Sequence, residues 1–229
     1  MIAVDPQIAV DHSVFVTGTD TAVGKTRVAL ALIAQLAAAG RRVAAMKPVA
    51  AGGLMTSHGL RNEDALDLAA AASVRLPYEQ VNPCCLPLAS SPHLAARAAG
   101  VAIDIDTLVA AYHRIAARAD VVVVEGAGGW RVPIGEPAQP GQAGPTMADL
   151  ARALGLPVLL VVGIRLGCLN HALLTADAIR ASGLPFAGWV ANVLDPGFPG
   201  ADDYVASLEA RLPVPRLGTL PFDPAAAGA

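Results

Sequence analysis

Two lysines stand against fourteen arginines in this chain of 229 residues, and each lies in a segment suited to close contact with an anion. Lys25 belongs to Gly18-Thr-Asp-Thr-Ala-Val-Gly-Lys-Thr26, and Lys47 opens Lys47-Pro-Val-Ala-Ala-Gly52. A lysine ammonium is a compact, rotatable point charge, whereas a guanidinium is a broad planar fork, so an arginine-rich chain keeps lysine where only the smaller group serves. Both lysines are expected to face one anionic ligand. The first segment resembles the template G-x-x-x-x-G-K-[ST], whose backbone N–H groups and following helix terminus cradle phosphates while the hydroxyl reaches Mg²⁺. Thr19 occupies the template's first glycine, and five residues separate Gly18 from Gly24. Lys47 precedes Pro48, which holds its backbone extended and aims the ammonium along the same rim.

Acidic partners follow the same logic. Glu125 ends the run Val121-Val-Val-Val124 and precedes Gly126-Ala-Gly-Gly129, so its carboxylate should emerge where small residues let a ligand approach the backbone. Asp64 has two readings: an oxygen ligand for a cation, or first-turn charge in a helix capped by Asn62. Mg²⁺ keeps several waters and takes few protein ligands beside phosphate oxygens, so Thr26, Glu125 and Asp64 form a sufficient set. Gly167 through Asn170 would present free N–H groups to a carboxylate or phosphate, although Asn170 also suits simple helix capping. No base is placed beside Cys168, which is assigned to packing. His93 belongs in a helix's first turn, with Pro92 at the first helical position and Ser91 as cap. The five histidines make no catalytic or metal set.

The elements that must position these groups read as α/β. Strands are predicted near Ser13 to Thr17, Arg42 to Met46, Val121 to Glu125, Val158 to Val162, Ala187 to Ala191 and Arg216 to Leu220. Helices are predicted from Lys25 to about Ala39, Glu63 to Ala72, Ile105 to Arg118, Met147 to Leu154, Asn170 to Ser182 and Asp203 to Arg211, with Gly40 and Gly183 as stops. Apolar runs without alternation fit central strands of a mostly parallel sheet covered by helices on both faces. In such sheets ligands bind beyond the carboxyl ends of the strands, where five of these segments converge. Two stretches, Leu76 to Pro92 and Arg131 to Pro145, read as irregular loops.

Composition bounds the rest. With 54% hydrophobic residues and no low-complexity stretch, residues 1–229 read as one domain with a sizeable core. The longest apolar runs fall short of the roughly 18 residues of a membrane span. The start, Met1-Ile-Ala-Val-Asp-Pro-Gln7, lacks an export signal's basic beginning, and the cytoplasm is expected. Three cysteines suggest reduced thiols rather than a disulfide framework. A net charge of −3 without basic runs argues against a nucleic-acid surface.

Taken in order, Phe15-Val-Thr-Gly-Thr-Asp-Thr21, Val23-Gly-Lys-Thr26, Lys47-Pro-Val-Ala50, Asn82-Pro83, Ser91-Pro-His93, Val124-Glu-Gly-Ala-Gly-Gly-Trp130, Leu166-Gly-Cys-Leu-Asn-His171 and Gly188-Trp-Val-Ala-Asn192 resemble the dethiobiotin synthetase family across nearly the whole chain. That resemblance implies a P-loop-containing nucleoside triphosphate hydrolase-like fold and a homodimer. It implies conversion of 7,8-diaminononanoate, CO2 and MgATP into dethiobiotin, ADP and phosphate. It makes Lys47 the active-site lysine, Lys25 the phosphate-binding lysine, Thr21 a contact of the reacting groups, and Thr26, Asp64 and Glu125 the magnesium set. Nucleotide contacts implied are Ala22, Val23, Gly24, Lys25, Thr26, Arg27, Asp64, Glu125, Gly126, Ala127 and Gly128, with Asn192, Pro221, Phe222 and Asp223 at the base. Substrate contacts implied are Ala51, Gly167, Cys168 and Asn170.

The chain departs from the family pattern at three places. Ala22 replaces a common Glu, Ala51 replaces a substrate-contacting Ser, and the tail after Asp223, Pro-Ala-Ala-Ala-Gly-Ala, carries no late acid. Weaker purine selectivity, or compensation by Asp223, is the expectation. Two other classes compete: a P-loop switch ATPase that positions cargo, which usually carries a second early lysine in the loop, and a small-molecule kinase, which needs an Arg-rich lid.

Overall fold

The computed structural model describes residues 10 and 12–224. A six-stranded parallel sheet forms its centre, built from β1 (Val14–Gly18), β2 (Val43–Met46), β7 (Val121–Glu125), β8 (Val158–Ile164), β9 (Phe186–Val193) and β10 (Arg216–Leu220). Their spatial order is β2, β7, β1, β8, β9, β10. Strand β1 therefore lies between β7 and β8, with Val16 beside Glu125 and Thr17 beside Leu160.

Alternation along each strand splits the core in two. Phe15, Val122, Val124, Leu160, Val162 and Trp189 face one side, packed by α5 (Ile105–Ala116), α6 (Met147–Leu154), α7 (Cys168–Ala181) and α8 (Ala201–Glu209). Val14, Val16, Val121, Val123, Leu159 and Val161 face the other, packed by α1 (Lys25–Ala38) and α2 (Glu63–Ala71). Strands buried on both faces have no polar face to show, which is why they read as continuous apolar runs.

The structure adds elements between β2 and α5. Two three-residue strands, β3 (Val49–Ala51) and β6 (Cys84–Leu86), pair in parallel, and β4 (Leu54–Thr56) forms a hairpin with β5 (Gly59–Arg61). The Leu76 to Pro92 stretch is thus not a plain loop. It holds α3 (Tyr78–Val81) and β6, and α4 (Pro92–Ala99) follows. Pro92 is at the first helical position and Ser91 is the cap residue, but Ser91 Oγ contacts His93 Nδ1 at 3.1 Å instead of capping the backbone. Helix α7 begins at Cys168, two residues before the expected start, because Gly167 takes the left-handed conformation (φ 92°) and serves as cap. All three cysteines are free thiols. Among the described residues, no helix is long and apolar enough to cross a membrane.

Candidate functional site

The loop from Thr19 to Gly24 links the carboxyl end of β1 to the amino end of α1. Ala22 (φ 55°) and Gly24 (φ 87°) both take left-handed backbone, a conformation that folds successive N–H groups into a concave anion nest. A side chain at Gly24 would collide with the Asn192 amide, so this turn needs glycine for space as well as for φ. Helix α1 has no acid in its first turn, leaving its positive end open. The Val23 side chain is buried in the core, and its carbonyl accepts a bond from Asn192 Nδ2 at 3.0 Å.

Lys25 and Lys47 are nearly enclosed, at 7% and 4% exposure, beside the fully buried Glu125. Lys47 Nζ lies 2.5 Å from Glu125 Oε1 and 2.7 Å from Asp64 Oδ2, and Thr26 Oγ1 donates to the same Glu125 oxygen at 2.9 Å. Lys25 Nζ instead donates to the Asp20 carbonyl at 2.9 Å. These different partners push the two lysines in opposite directions. Burial lowers the Lys25 ammonium to about 8, only partly offset by Glu125. Burial also works against the charge on Lys47, but the Glu125 and Asp64 carboxylates outweigh it and hold its pKa above the ordinary lysine value. Asp64 is lowered, the Lys47 ammonium overcoming the opposing effect of burial. The helix reading of Asp64 holds, because Asn62 caps α2, accepting from Ala65 N–H at 3.3 Å, and Asp64 sits in its first turn, from which it also reaches the Lys47 ammonium.

A second cluster lies at the ends of β9 and β10. Arg27 Nη1 donates to Asn192 Oδ1 at 2.9 Å and to the Pro221 carbonyl at 2.7 Å, while Nη2 lies 3.8 Å from Asp223 Oδ2. The sequence-predicted base-side residues Asn192, Pro221 and Asp223 thus meet around one guanidinium. Phe222 lies in the same segment, half-buried.

Other expected contacts are placed differently. Thr21 is exposed, and its backbone N–H is held by Asp20 Oδ1 at 2.7 Å. Gly126 spends its N–H on the Val16 carbonyl at 2.9 Å, and Ala127 packs against the core beside Gly128 (φ 60°). Ala51 lies half-buried on β3 and offers no polar group. The Cys168 N–H is not free, as its position at a helix start had suggested, because it donates to the Arg165 carbonyl at 3.1 Å. Cys168 packs in the core, Asn170 is exposed, and Arg165 ties this turn to the phosphate loop through Asp20 Oδ2 at 2.6 Å. Sequence reasoning gave no role to Asp20, Tyr78 or Asn82, which the structure shows gripping the lysine segments. The pair Asn82-Pro83 within the quoted motifs was the available signal. The expectations drawn from the start of the chain and from residues 225–229 lie outside the described residues.

A buried carboxylate oxygen without a partner is costly unless something positive meets it. Glu125 Oε2 is such an atom among the described residues; the other oxygen of the same carboxylate accepts from the Thr26 hydroxyl, which also bonds the Asp64 carboxylate. That donor set, all oxygen, suits Mg²⁺.

A nested loop at a helix terminus, a lysine within it and an acid closing the adjacent strand define a P-loop nucleotide-binding protein. The fold agrees: a chain of the MinC:MinD cell division protein complex of Aquifex aeolicus superposes with a TM-score of 0.54 at 17% identity, covering 93% of this chain and 82% of that one. The septum site-determining protein MinD complexed with Mg-ADP, from Pyrococcus horikoshii OT3, gives 0.51 at 18% identity with the same coverage. A family model described as an AAA domain matches residues 12–229. The ATP-dependent dethiobiotin synthetase BioD of Pseudomonas paraeruginosa (strain DSM 24068 / PA7) is 52% identical over 208 residues, 90% of this chain and 88% of that protein. The same enzyme of Pseudomonas aeruginosa strain PAO1 is 51% identical with equal coverage. The chain belongs to the ATP-dependent dethiobiotin synthetase family.

Proposed function

We propose that this chain closes the ureido ring of dethiobiotin from 7,8-diaminononanoate, CO2 and ATP, with Mg²⁺ as cofactor. The observation that carries the reading is the buried Lys47 ammonium, held by Glu125 and Asp64 next to the phosphate-loop Thr26. One substrate amine adds to CO2 and loses a proton, giving a carbamate. A carbamate oxygen then attacks the γ-phosphorus while the bond to the β-phosphate oxygen breaks, yielding a carbamic-phosphoric anhydride and ADP. The second amine attacks the activated carbonyl, loses its proton and expels phosphate.

Two anions meet in the second step, and their repulsion must be offset where they meet. Lys25 serves the phosphates and Lys47 the approaching carbamate, both in a site dry enough for each charge to count. Thr26, Glu125 and Asp64 would hold Mg²⁺, which neutralises phosphate oxygens when bound. Asn192 and the Pro221–Asp223 segment serve the base. The substrate's remote carboxylate belongs at the Leu169 and Asn170 N–H groups of α7's first turn, where a helix offers no internal acceptor. A partner subunit donates that turn, so the active unit is a homodimer, working in the cytoplasm. A switch ATPase and a small-molecule kinase lose ground because the relatives at half identity are ligases by name, whereas the MinD likeness concerns fold alone.

Phosphate release from MgATP, measured with and without bicarbonate and diaminononanoate, tests the reading. Release should require both, and Lys47→Gln should lower it by at least about a thousandfold while nucleotide affinity stays near wild type. Release indifferent to the diamine would overturn the ligase reading, and wild-type turnover in Lys47→Gln would remove Lys47 from the mechanism.

A further inference from the structure

One phenol links, through Asn62 and Asn82, the two segments that carry the Lys47–Asp64 pair. The Tyr78 hydroxyl accepts from the Asn62 N–H at 2.7 Å and donates to Asn82 Oδ1 at 2.9 Å. Asn82, 3% exposed, passes the link on: its Nδ2 donates to the Lys47 carbonyl at 2.6 Å. The Lys47 N–H donates to the Val81 carbonyl, also on α3, at 2.8 Å. On the other side Asn62 caps α2, which carries Asp64 two residues on. Lys47 Nζ and Asp64 Oδ2, 2.7 Å apart, close the ring.

We infer that Tyr78 is a positioning residue of this site, setting the spacing between Lys47 and Asp64 without touching nucleotide or substrate. The inference rests on the roles proposed above for those two residues. Asp64 and Lys47 come from different elements, and beside the packing of α2 on the sheet this cross-link ties the start of α2 to the end of β2. Tyrosine suits the task because a single hydroxyl both accepts and donates. Its proton is secure: burial raises the Tyr78 pKa to about 12, so the donor role persists through the working pH range. The ring is itself anchored, with the Arg61 guanidinium 4.2 Å over its centroid and held by Glu79 at 2.8 Å. A phenyl ring could keep that stacking but would leave the Asn62 N–H and Asn82 Oδ1 without their shared partner.

Tyr78→Phe and Asn82→Asp test the link at two points. Asn82→Asp keeps an acceptor for the phenol but loses the donor to the Lys47 carbonyl. Each variant should lower kcat about tenfold, as a small misplacement of a reacting group does. Each should also raise the Mg²⁺ concentration for half-maximal ATP affinity, read by calorimetry, roughly tenfold, as loss of an outer support of a metal ligand does. ATP affinity in excess EDTA should stay unchanged, and the double variant should be no worse than the poorer single one. A lowered Tm with wild-type kcat and Mg²⁺ dependence in Tyr78→Phe would make Tyr78 merely structural and overturn the inference. Should Tyr78→Phe fail to fold, wild-type kinetics in Asn82→Asp would do the same. Failure of the wild type to turn over with diaminononanoate would defeat the proposed function instead, while the calorimetric Mg²⁺ dependence would still decide for or against Tyr78.

Discussion

Lys25 and Lys47 show how one buried cluster can tune the same functional group in two directions. Lys47 meets two carboxylates and keeps its proton, whereas Lys25 meets a neutral carbonyl and holds its proton only up to about pH 8. A lysine whose folded-state pKa lies below its ordinary 10.5 binds fewer protons folded than unfolded between those values. The nucleotide-free protein should therefore gain stability from this group as pH rises from about 8 to 10.5, and below 8 it bears the full cost of burying the charge. Activity should move the other way. In the proposed mechanism the free enzyme uses the Lys25 ammonium to receive phosphate, so kcat/KM for ATP should fall above about pH 8. Bound phosphates favour the charged form, so kcat at saturating ATP should persist to higher pH. Paired pH profiles of the two constants check this.

Among the elements, the link from α1 to the ends of β9 and β10 depends on Arg27. One Nη holds the Asn192 carbonyl oxygen and the Pro221 carbonyl, which orients the Asn192 amide and fastens the following segment before nucleotide arrives. Arg27→Met should raise KM for ATP about tenfold, the worth of a lost charged hydrogen bond, and leave kcat nearly intact. Steady-state kinetics in ATP would show it. The elements that carry the site were largely legible. Runs such as Val121–Val124, ending in Glu125, announce a strand with an acid at its carboxyl end, and Gly-Lys-Thr after β1 announces α1. What escaped was short or non-local. Val49–Ala51 and Cys84–Leu86 are strands only because each supplies the other's hydrogen bonds across more than thirty positions of chain, and no local pattern encodes that. The Gly167 cap was missed because Asn170 is itself a good cap, and only backbone geometry decides between them. Asn82 and Tyr78 act through a carbonyl and an N–H, groups every residue has, so their types do not reveal their partners.

At the scale of the molecule, burial on both sheet faces explains a chain more than half hydrophobic that still sets charge at the end of β7 and just past the ends of β2 and β8. Leu166 and Leu174, 79% and 62% exposed, flank Asn170 around the start of α7 and depart from that rule. In the proposed homodimer a second copy covers them and shares the turn. Sedimentation should find two chains together, and Leu174→Asp should separate them and raise KM for diaminononanoate several-fold, as loss of an apolar interface anchor does. A single-chain wild type with full activity would dismiss the shared site.

Three of the four cations named in the cleft face carboxylates at rest, and the fourth, Lys25, rests on a backbone carbonyl. Lys47 faces Asp64 and Glu125, Arg27 faces Asp223, Arg165 faces Asp20, and the Lys25 ammonium supplies the fourth positive charge. Four of each sign cancel at a distance, so this mouth casts little field beyond a Debye length and does little to draw a polyanion out of solution. Capture begins at contact, when an incoming triphosphate breaks the truce among the side chains.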